Sequence, residues 1–268
     1  MFDKLPKDRT QTLKGRSAKT ALATVLLGIG LATTSPSFAG DNSSQVEQKG
    51  QNNSLAISQT SGRNNDIFVE QVGYGSGNDA TIAQKGSNNS TALSQKGAGN
   101  QATVTLLGQD NGEQRGKVRQ TGLGNQTQLL SAGTSNNYQI LQGGIGNSAH
   151  SLQLGSENQL GIAQRGGFHQ AQQLQAGNQN LGFITQGGSF YGLNNFASQA
   201  QIGDGNTAVS AQYGSNNTAI QNQVGQGNSS LVQQTGNNGS VTHNQYGNGL
   251  SARIYQGGSR TITVTQSN

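Results

Sequence analysis

The chain has 268 residues, of which 30% are hydrophobic, 10% are charged and 41 are glycine. So few apolar residues argue against an ordinary globular core, and the absence of cysteine excludes disulfides, thiolate metal sites and a cysteine nucleophile. Both prolines, Pro6 and Pro36, lie in the first 40 residues, so no later residue lacks the backbone NH that strand pairing needs.

Residues 1–39 have the pattern of a removable secretory signal. Six basic residues precede and flank an apolar run from Ala21 to Ala32, and the small residues Ser37 and Ala39 suit cleavage after Ala39. A membrane anchor is the alternative, but crossing a bilayer needs about 20 apolar residues. This segment holds six of the 16 basic and two of the 11 acidic residues, which leaves 10 against 9. The nearly neutral remainder gives no reason to expect nucleic-acid binding.

Residues 40–268 are predicted to form a single repeat array. Glutamine, any residue, glycine, two residues and asparagine recur, and most units are 11 residues long, as from Gln84 to Gln95. The residues that follow the asparagine alternate, so that Asn78, Ala80, Ile82 and Gln84 share one face. Period two is typical of a β-strand with one buried face.

The irregular units keep this register when their extra residues are placed in turns. Three extra residues lie between Leu106 and Gln120, and four lie within 188–193. Asn42 to Gln48 then supply one more strand at the start. The total is 20 strands, or ten repeats of 22 residues.

This repeat predicts an all-β fold: a cross-β β-solenoid with two strands per 22-residue coil and about ten coils. Glycine lies at the third position of 18 of the 19 turns, with Ser61 beside Gly62 as the exception, and suits a turn with positive φ. Parallel stacking places each glutamine about 4.8 Å from the glutamine two units later, so the amides should form a ladder. The predicted ladder glutamines are Gln48, Gln59, Gln71, Gln84, Gln95, Gln120, Gln142, Gln153, Gln164, Gln175, Gln186, Gln201, Gln212, Gln223, Gln234, Gln245 and Gln256. The predicted ladder asparagines are Asn53, Asn78, Asn89, Asn100, Asn125, Asn147, Asn158, Asn206, Asn217 and Asn228.

The two ends of such a stack expose unpaired strand edges, which can pair with another chain. Few charges and no prolines protect these edges. We therefore expect further subunits to add end to end and to continue the ladder as a cross-β fibre. Ten coils imply about 48 Å of fibre per subunit.

The pattern Gln-x-Gly-x-x-Asn-x-Ala-x-x-x-Gln, as in residues 142–153, resembles the curlin repeat of bacterial curli fibre subunits. The resemblance covers nearly the whole chain after residue 39. It implies a secreted functional amyloid of the bacterial surface, with roles in biofilm matrix, adhesion and aggregation. It also implies that the subunit polymerises with itself, and that other curlin subunits and an outer-membrane export channel are its partners.

The resemblance leaves the kind of subunit open. Length and regularity favour a bulk, major-type subunit. The asparagine is lost in the last units, however, and the minor, nucleating curlin has a similarly deviant, arginine-bearing end. The positions concerned are Gly239, Leu250 and Arg260.

Two sets of outward residues could contact other molecules. A basic row could meet DNA, polysaccharide or an acidic surface, although a gatekeeper role against aggregation is the preferred interpretation. It consists of Arg115, Lys117 and Arg119. Three leucines spaced by 22 residues should form an apolar stripe for lateral contact between filaments. They are Leu130, Leu152 and Leu174.

We predict no enzyme activity, no cofactor, no specific nucleic-acid ligand and no membrane span. The glycines of 73–77 resemble a nucleotide-binding loop, but no helix follows them. His150, His169 and His243 lie in different units without a carboxylate partner at catalytic or metal-binding spacing. A monomeric solenoid adhesin remains the alternative from another class, whereas ice binding would need ranks of outward threonine that the sequence lacks.

Overall fold

The computed structural model describes residues 42–108, 113–187 and 192–268. The predicted signal segment at 1–39 and part of each of the two insertions lie outside these residues. The described residues form twenty strands in two parallel sheets of ten strands each. The predicted all-β solenoid of ten coils is thus confirmed.

Odd-numbered strands form one sheet, which we call the odd sheet. Its strands are β1 (Ser43–Gly50), β3 (Asp66–Gly73), β5 (Ser90–Ala98), β7 (Arg115–Leu123), β9 (Asn137–Ile145), β11 (Gln159–Gly167), β13 (Leu181–Gln186), β15 (Thr207–Tyr213), β17 (Ser229–Thr235) and β19 (Ser251–Gly257). Even-numbered strands form the even sheet: β2 (Ser54–Thr60), β4 (Asp79–Lys85), β6 (Gln101–Gly108), β8 (Gln126–Thr134), β10 (Ser148–Ser156), β12 (Gln170–Ala176), β14 (Phe196–Ile202), β16 (Thr218–Val224), β18 (Ser240–Tyr246) and β20 (Thr261–Ser267).

One odd strand and the even strand that follows it make one coil, and coils are numbered 1 to 10 from the N-terminus. Equivalent residues of successive coils pair directly, as Ile162 does with Ile140 and with Ile184. The insertions fall between β6 and β7 and between β13 and β14, so neither shifts the register within a strand. Strand alternation therefore gives every coil an inward face and an outward face.

The turns require glycine for two reasons, which Gly144 illustrates. Its φ of 115° lies in a region that side chains rarely adopt. A Cβ on Gly144 would also lie 1.9 Å from the carbonyl oxygen of Gly166 in the next coil. A side chain at this turn position would collide with the next coil, so glycine there permits stacking at strand spacing.

The core is a thin layer between the two sheets. In the odd sheet an aliphatic column runs through most of the stack and is almost fully buried, with Leu93, Val118, Ile140, Ile162 and Ile184 at its centre. Amide side chains lie on both sides of this column, at the strand ends. The middle of most odd strands therefore contributes apolar packing to the core, and their two ends contribute buried amides.

Candidate functional site

The odd sheet contains an unbroken ladder of ten glutamines, one in each coil. Nine side-chain hydrogen bonds of 2.6–2.9 Å join them, and in each the Nε2 of one glutamine donates to the Oε1 of the next coil. The Nε2 of Gln142 also donates to the backbone oxygen of Gln126 in the even sheet, at 2.8 Å. Seven other amides of this ladder make the equivalent bond, so most ladder amides link their coil both along the stack and across the core.

The even sheet has a glutamine ladder in two segments. Gln59 donates to Gln84 at 3.3 Å, and a second run of bonds of 2.8–3.0 Å joins Gln153 to Gln266. Leu106 and Ser131 occupy the ladder position in coils 3 and 4. As a result the buried Ser131 Oγ and Gln153 Oε1 have no hydrogen-bond partner.

The even-sheet glutamine ladder is interrupted in coils 3 and 4, and the buried side chain of Tyr138 reaches residues of the same two coils. Tyr138 belongs to coil 5, and its ring packs against Gly116 of coil 4. A Cβ on Gly116 would lie only 2.3 Å from the ring carbons of Tyr138. Its hydroxyl reaches Thr91 in coil 3, at 2.8 Å. Burial raises the pKa of the Tyr138 hydroxyl. One aromatic side chain therefore connects three successive coils where the amide ladder is interrupted.

Replacing Tyr138 by phenylalanine should lower the free energy of unfolding by about 1 kcal/mol, because the hydrogen bond to Thr91 is lost while the ring still fills the core. Chemical denaturation measures this change. Tyr213→Phe is the matched control, since Tyr213 is outward-facing and 40% exposed, and it should leave stability unchanged. Equal effects of the two substitutions would contradict this role of the hydroxyl.

Asparagines form two further columns, at the turns that lead into the strands. In the even-sheet column the Oδ1 of Asn53 accepts from the backbone NH of Asn78, at 3.0 Å, and the pattern repeats from coil to coil. This column contains the predicted Asn53, Asn78, Asn100, Asn125, Asn147 and Asn217, and the odd-sheet column contains Asn89, Asn158, Asn206 and Asn228. Gly239, Leu250 and Arg260 occupy the last positions and offer no side-chain amide.

His169 replaces asparagine in the even-sheet column. The ring is fully buried, its Nδ1 accepts from the backbone NH of Asn195 at 3.2 Å, and Nε2 lies 3.0 Å from the carbonyl oxygen of Arg165. Both contacts fit a neutral ring that carries its proton on Nε2. Burial lowers the pKa of His169, and hydrogen bonds to the backbone of Arg165 and Gly192 oppose this only in part.

The second half of the even sheet has a polar core that the sequence did not predict. Ser151, Gln173, Gln199, Gln221 and His243 take the position that is aliphatic in earlier coils. Gln173 donates to Gln199 at 3.2 Å, and Gln199 donates to Gln221 at 2.8 Å. The signal that could have revealed this was Gly182, an inward glycine whose Cβ would lie 1.9 Å from the Gln173 Nε2.

His243 ends this polar core near the last coil. Gln221 donates to the Ser230 hydroxyl at 2.7 Å, so that hydroxyl is free to donate to the Nδ1 of His243. The Nε2 of His243 lies 3.4 Å from the Oε1 of Gln266. Burial lowers the pKa of His243, opposed by the hydrogen bond to Gln266. His243 thus has the same protonation pattern as His169.

The outer faces place the two predicted contact sets on different sheets. Arg115, Lys117 and Arg119 are exposed on β7, and Arg115 forms an ion pair with Glu113. The leucines of the predicted stripe pair in register on the outer face of the even sheet, half-buried: Leu130, Leu152 and Leu174. The described ranges contain no group of three or more His, Cys, Asp or Glu side chains that could hold a metal. They also contain no helix long and apolar enough to cross a membrane.

Comparison with known proteins identifies one family match. Residues 74–97 match the model of the curlin associated repeat. This stretch contains the turn after β3, all of β4 and most of β5, which together make one circuit of the solenoid. No curated protein matches the chain. The resemblance to curlin repeats is confirmed in this circuit, which joins coils 2 and 3, and the other coils stack in the same register.

Proposed function

We propose that this chain, a curlin-repeat protein, is the structural subunit of a curli-type fibre, in which coil 10 of one subunit stacks on coil 1 of the next. The direction of the glutamine ladders carries the proposal. Every hydrogen bond between two ladder glutamines is donated toward the C-terminal coil, so the ladders end in NH₂ groups at coil 10 and in amide oxygens at coil 1. The two ends are therefore complementary donors and acceptors.

The apolar residues of the terminal coils also match. Coil 10 presents Ile254, Ile262 and Val264, and the last two are only partly buried against the core. Coil 1 presents Val46 at the position equivalent to Ile254, together with Leu55 and Ile57 in its even strand. Leu55, Ile57 and Ile254 are already buried within the subunit, so stacking the two coils would cover the partly exposed Val46, Ile262 and Val264. It would also pair two strand edges, at about 1 kcal/mol for each backbone hydrogen bond.

Secretion through an outer-membrane channel, a place on the bacterial surface, and roles in biofilm matrix, adhesion and aggregation belong to the same proposal. The curlin repeat supports them, because that family is associated with extracellular curli fibres. Nucleation of fibre growth is the second candidate function. The observation that favours it is the loss of asparagine from both columns at the C-terminal end: the even-sheet column ends before Gly239 and the odd-sheet column before Leu250.

A lysine in the terminal coil tests end-to-end growth. Val264→Lys should slow seeded elongation of the mature chain at least about tenfold, because the charge would lie between coil 10 and an incoming coil 1 and be buried unpaired. Thioflavin fluorescence after seeding measures the rate, and circular dichroism checks that the subunit remains β-structured.

Thr263→Lys is the matched control, since Thr263 is the neighbouring residue on the exposed outer face. It should elongate like the wild type. Equal elongation of both variants would refute growth through coil 10. A wild-type chain that stays monomeric for days with seeds would refute the fibre and favour the monomeric adhesin. Acceleration of a separate curlin at trace amounts would favour the nucleator.

A further inference from the structure

The outer face of the even sheet carries a continuous apolar surface larger than the three leucines. One outward column contains only apolar residues over seven consecutive coils, each paired in register with the next: Leu107, Ala132, Leu154, Ala176, Ile202, Val224 and Tyr246. The adjacent outward column adds Leu130, Leu152, Leu174 and Ala200. We call these two columns the apolar band.

The band is exposed and has polar limits. Leu107, Leu154 and Ile202 are 40%, 39% and 47% exposed. Lys85 precedes the band in its column, and Ser267 follows it. The equivalent column of the odd sheet is mostly polar or glycine, with Lys96, Thr121, Gly143 and Arg165 in coils 3 to 6. The band is therefore a property of one face of the molecule.

Large and small residues alternate along the exposed column from coil 3 to coil 7, after which Val224 and Tyr246 are both large. Leu107, Leu154 and Ile202 project in coils 3, 5 and 7, whereas Ala132 and Ala176 leave shallow steps in coils 4 and 6. The projecting side chains are thus about 9.6 Å apart along the stack, which is twice the strand spacing. A partner surface fits these steps only if it has the same spacing, and a second cross-β stack of this chain has it.

We propose that the apolar band is a lateral interface between two copies of this chain, related by a two-fold axis, so that two filaments pair through their even sheets. With that symmetry Leu154 of one copy packs on Ala176 of the other, and Ile202 packs on Ala132, each contact occurring twice. The same symmetry places Leu107 opposite Val224, so the interdigitated part of the contact covers coils 4 to 7. The arrangement is a dry, interdigitated sheet-to-sheet contact. It rests on the proposed fibre function, because it joins filaments.

The size of the band indicates that filaments pair and free subunits do not. The band is about 30 Å long and about 10 Å wide, so pairing would bury about 300 Å² per copy, or about 600 Å² in total. A stable interface between free proteins buries about 1,000 Å² or more in total. Along a filament the bands add up, since each subunit contributes one. Lateral pairing should therefore begin only after several subunits have stacked.

Three double variants of the mature chain test the interface by negative-stain electron microscopy of seeded filaments. Leu154→Ser with Ile202→Ser removes two projecting side chains and should lower the fraction of paired filaments at least fivefold. Ala132→Leu with Ala176→Leu fills the steps and should lower it as much, although the surface becomes more apolar. Val209→Ser with Leu231→Ser is the control, because these two residues pair on the outer face of the odd sheet.

The outcomes separate this interface from the fibre itself. Paired wild-type filaments, paired control filaments and single filaments from the other two variants, with equal seeded elongation rates, are the expected result. Wild-type filaments that remain single would overturn the lateral interface and leave the fibre standing. More pairing in the alanine-to-leucine variant would also overturn it, since general stickiness would then explain the contact. Absence of any wild-type filament would overturn both proposals.

Discussion

Replacing Gln164 by glutamate is expected to destabilise the stack by about 3 kcal/mol or more at neutral pH. Gln164 is fully buried in coil 6, near the middle of the odd-sheet ladder. Its Nε2 donates to Gln186 and to the backbone oxygen of Ser148, both at 2.9 Å. A carboxylate would direct a negative oxygen at these two acceptors, and the ladder itself contains no cation to compensate.

The pH dependence of the Gln164→Glu variant provides an internal check. Burial should raise the pKa of the new carboxyl group, so stability should be near wild type in acid, where the group is neutral, and should fall as the pH rises. Denaturation midpoints between pH 4 and 8 measure this. Gln159→Glu, on the exposed face of the same strand, is the matched control and should be nearly neutral. Equal midpoints for both variants at pH 7 would show that the ladder does not hold the stack together.

Acidification from pH 7.5 to pH 5 is expected to weaken the wild-type stack through His169 and His243. The Nδ1 of His169 accepts from a backbone NH, so protonation of that nitrogen would set two donors against each other. Protonation of His243 would place an unpaired charge in the buried polar core. Their pKa values are lowered from the ordinary 6.5, so the unfolded chain binds protons first as the pH falls. The stability is thus fully present above pH 6.5 and is lost below it.

The repeat itself supplies the variant that should abolish this pH dependence. His169→Asn restores the residue of its column, and His243→Gln continues the core glutamines of the preceding coils. The double variant should lie within about 1 kcal/mol of the wild type at pH 7.5 and should lose little stability at pH 5. Thermal melts at the two pH values measure the difference.

Two other titratable groups, His150 and Glu70, are not expected to cause this pH dependence. His150→Asn should keep the wild-type pH dependence, because His150 is exposed on the outer face, where it forms hydrogen bonds with Gln128 and Ser148. Glu70 titrates mainly below this window: burial raises its pKa, but hydrogen bonds from Lys96 and Ser94 and the charges of Lys96 and Lys49 together lower it by more, to below the ordinary 4.5. The same loss of stability in the double variant as in the wild type would contradict a role of the two rings.

The sequence predicted the strands, the ten coils and the columns of glutamine and asparagine, because spacing alone determines which residues stack. It did not predict how side chains meet across the core. Tyr138 extends over two neighbouring coils, and Gln173 fills the space beside Gly182. The alternation of inward and outward residues along a strand does not predict such contacts. Inward-facing glycines such as Gly116 could have indicated these contacts. A glycine inside a strand often leaves space for a group from another strand to approach closely.

The ends of the asparagine columns have a mechanical consequence for a filament built as proposed. Inside a subunit, neighbouring coils share the covalent chain, two glutamine ladders in most coils and an asparagine oxygen that accepts the next backbone NH. At a junction the chain is interrupted, and the backbone NH of Asn53 meets Arg260 in place of an asparagine. Shear should therefore fracture filaments at junctions, about 48 Å apart or at multiples of that length. Every fracture leaves two intact ends, so breakage multiplies the number of growing filaments.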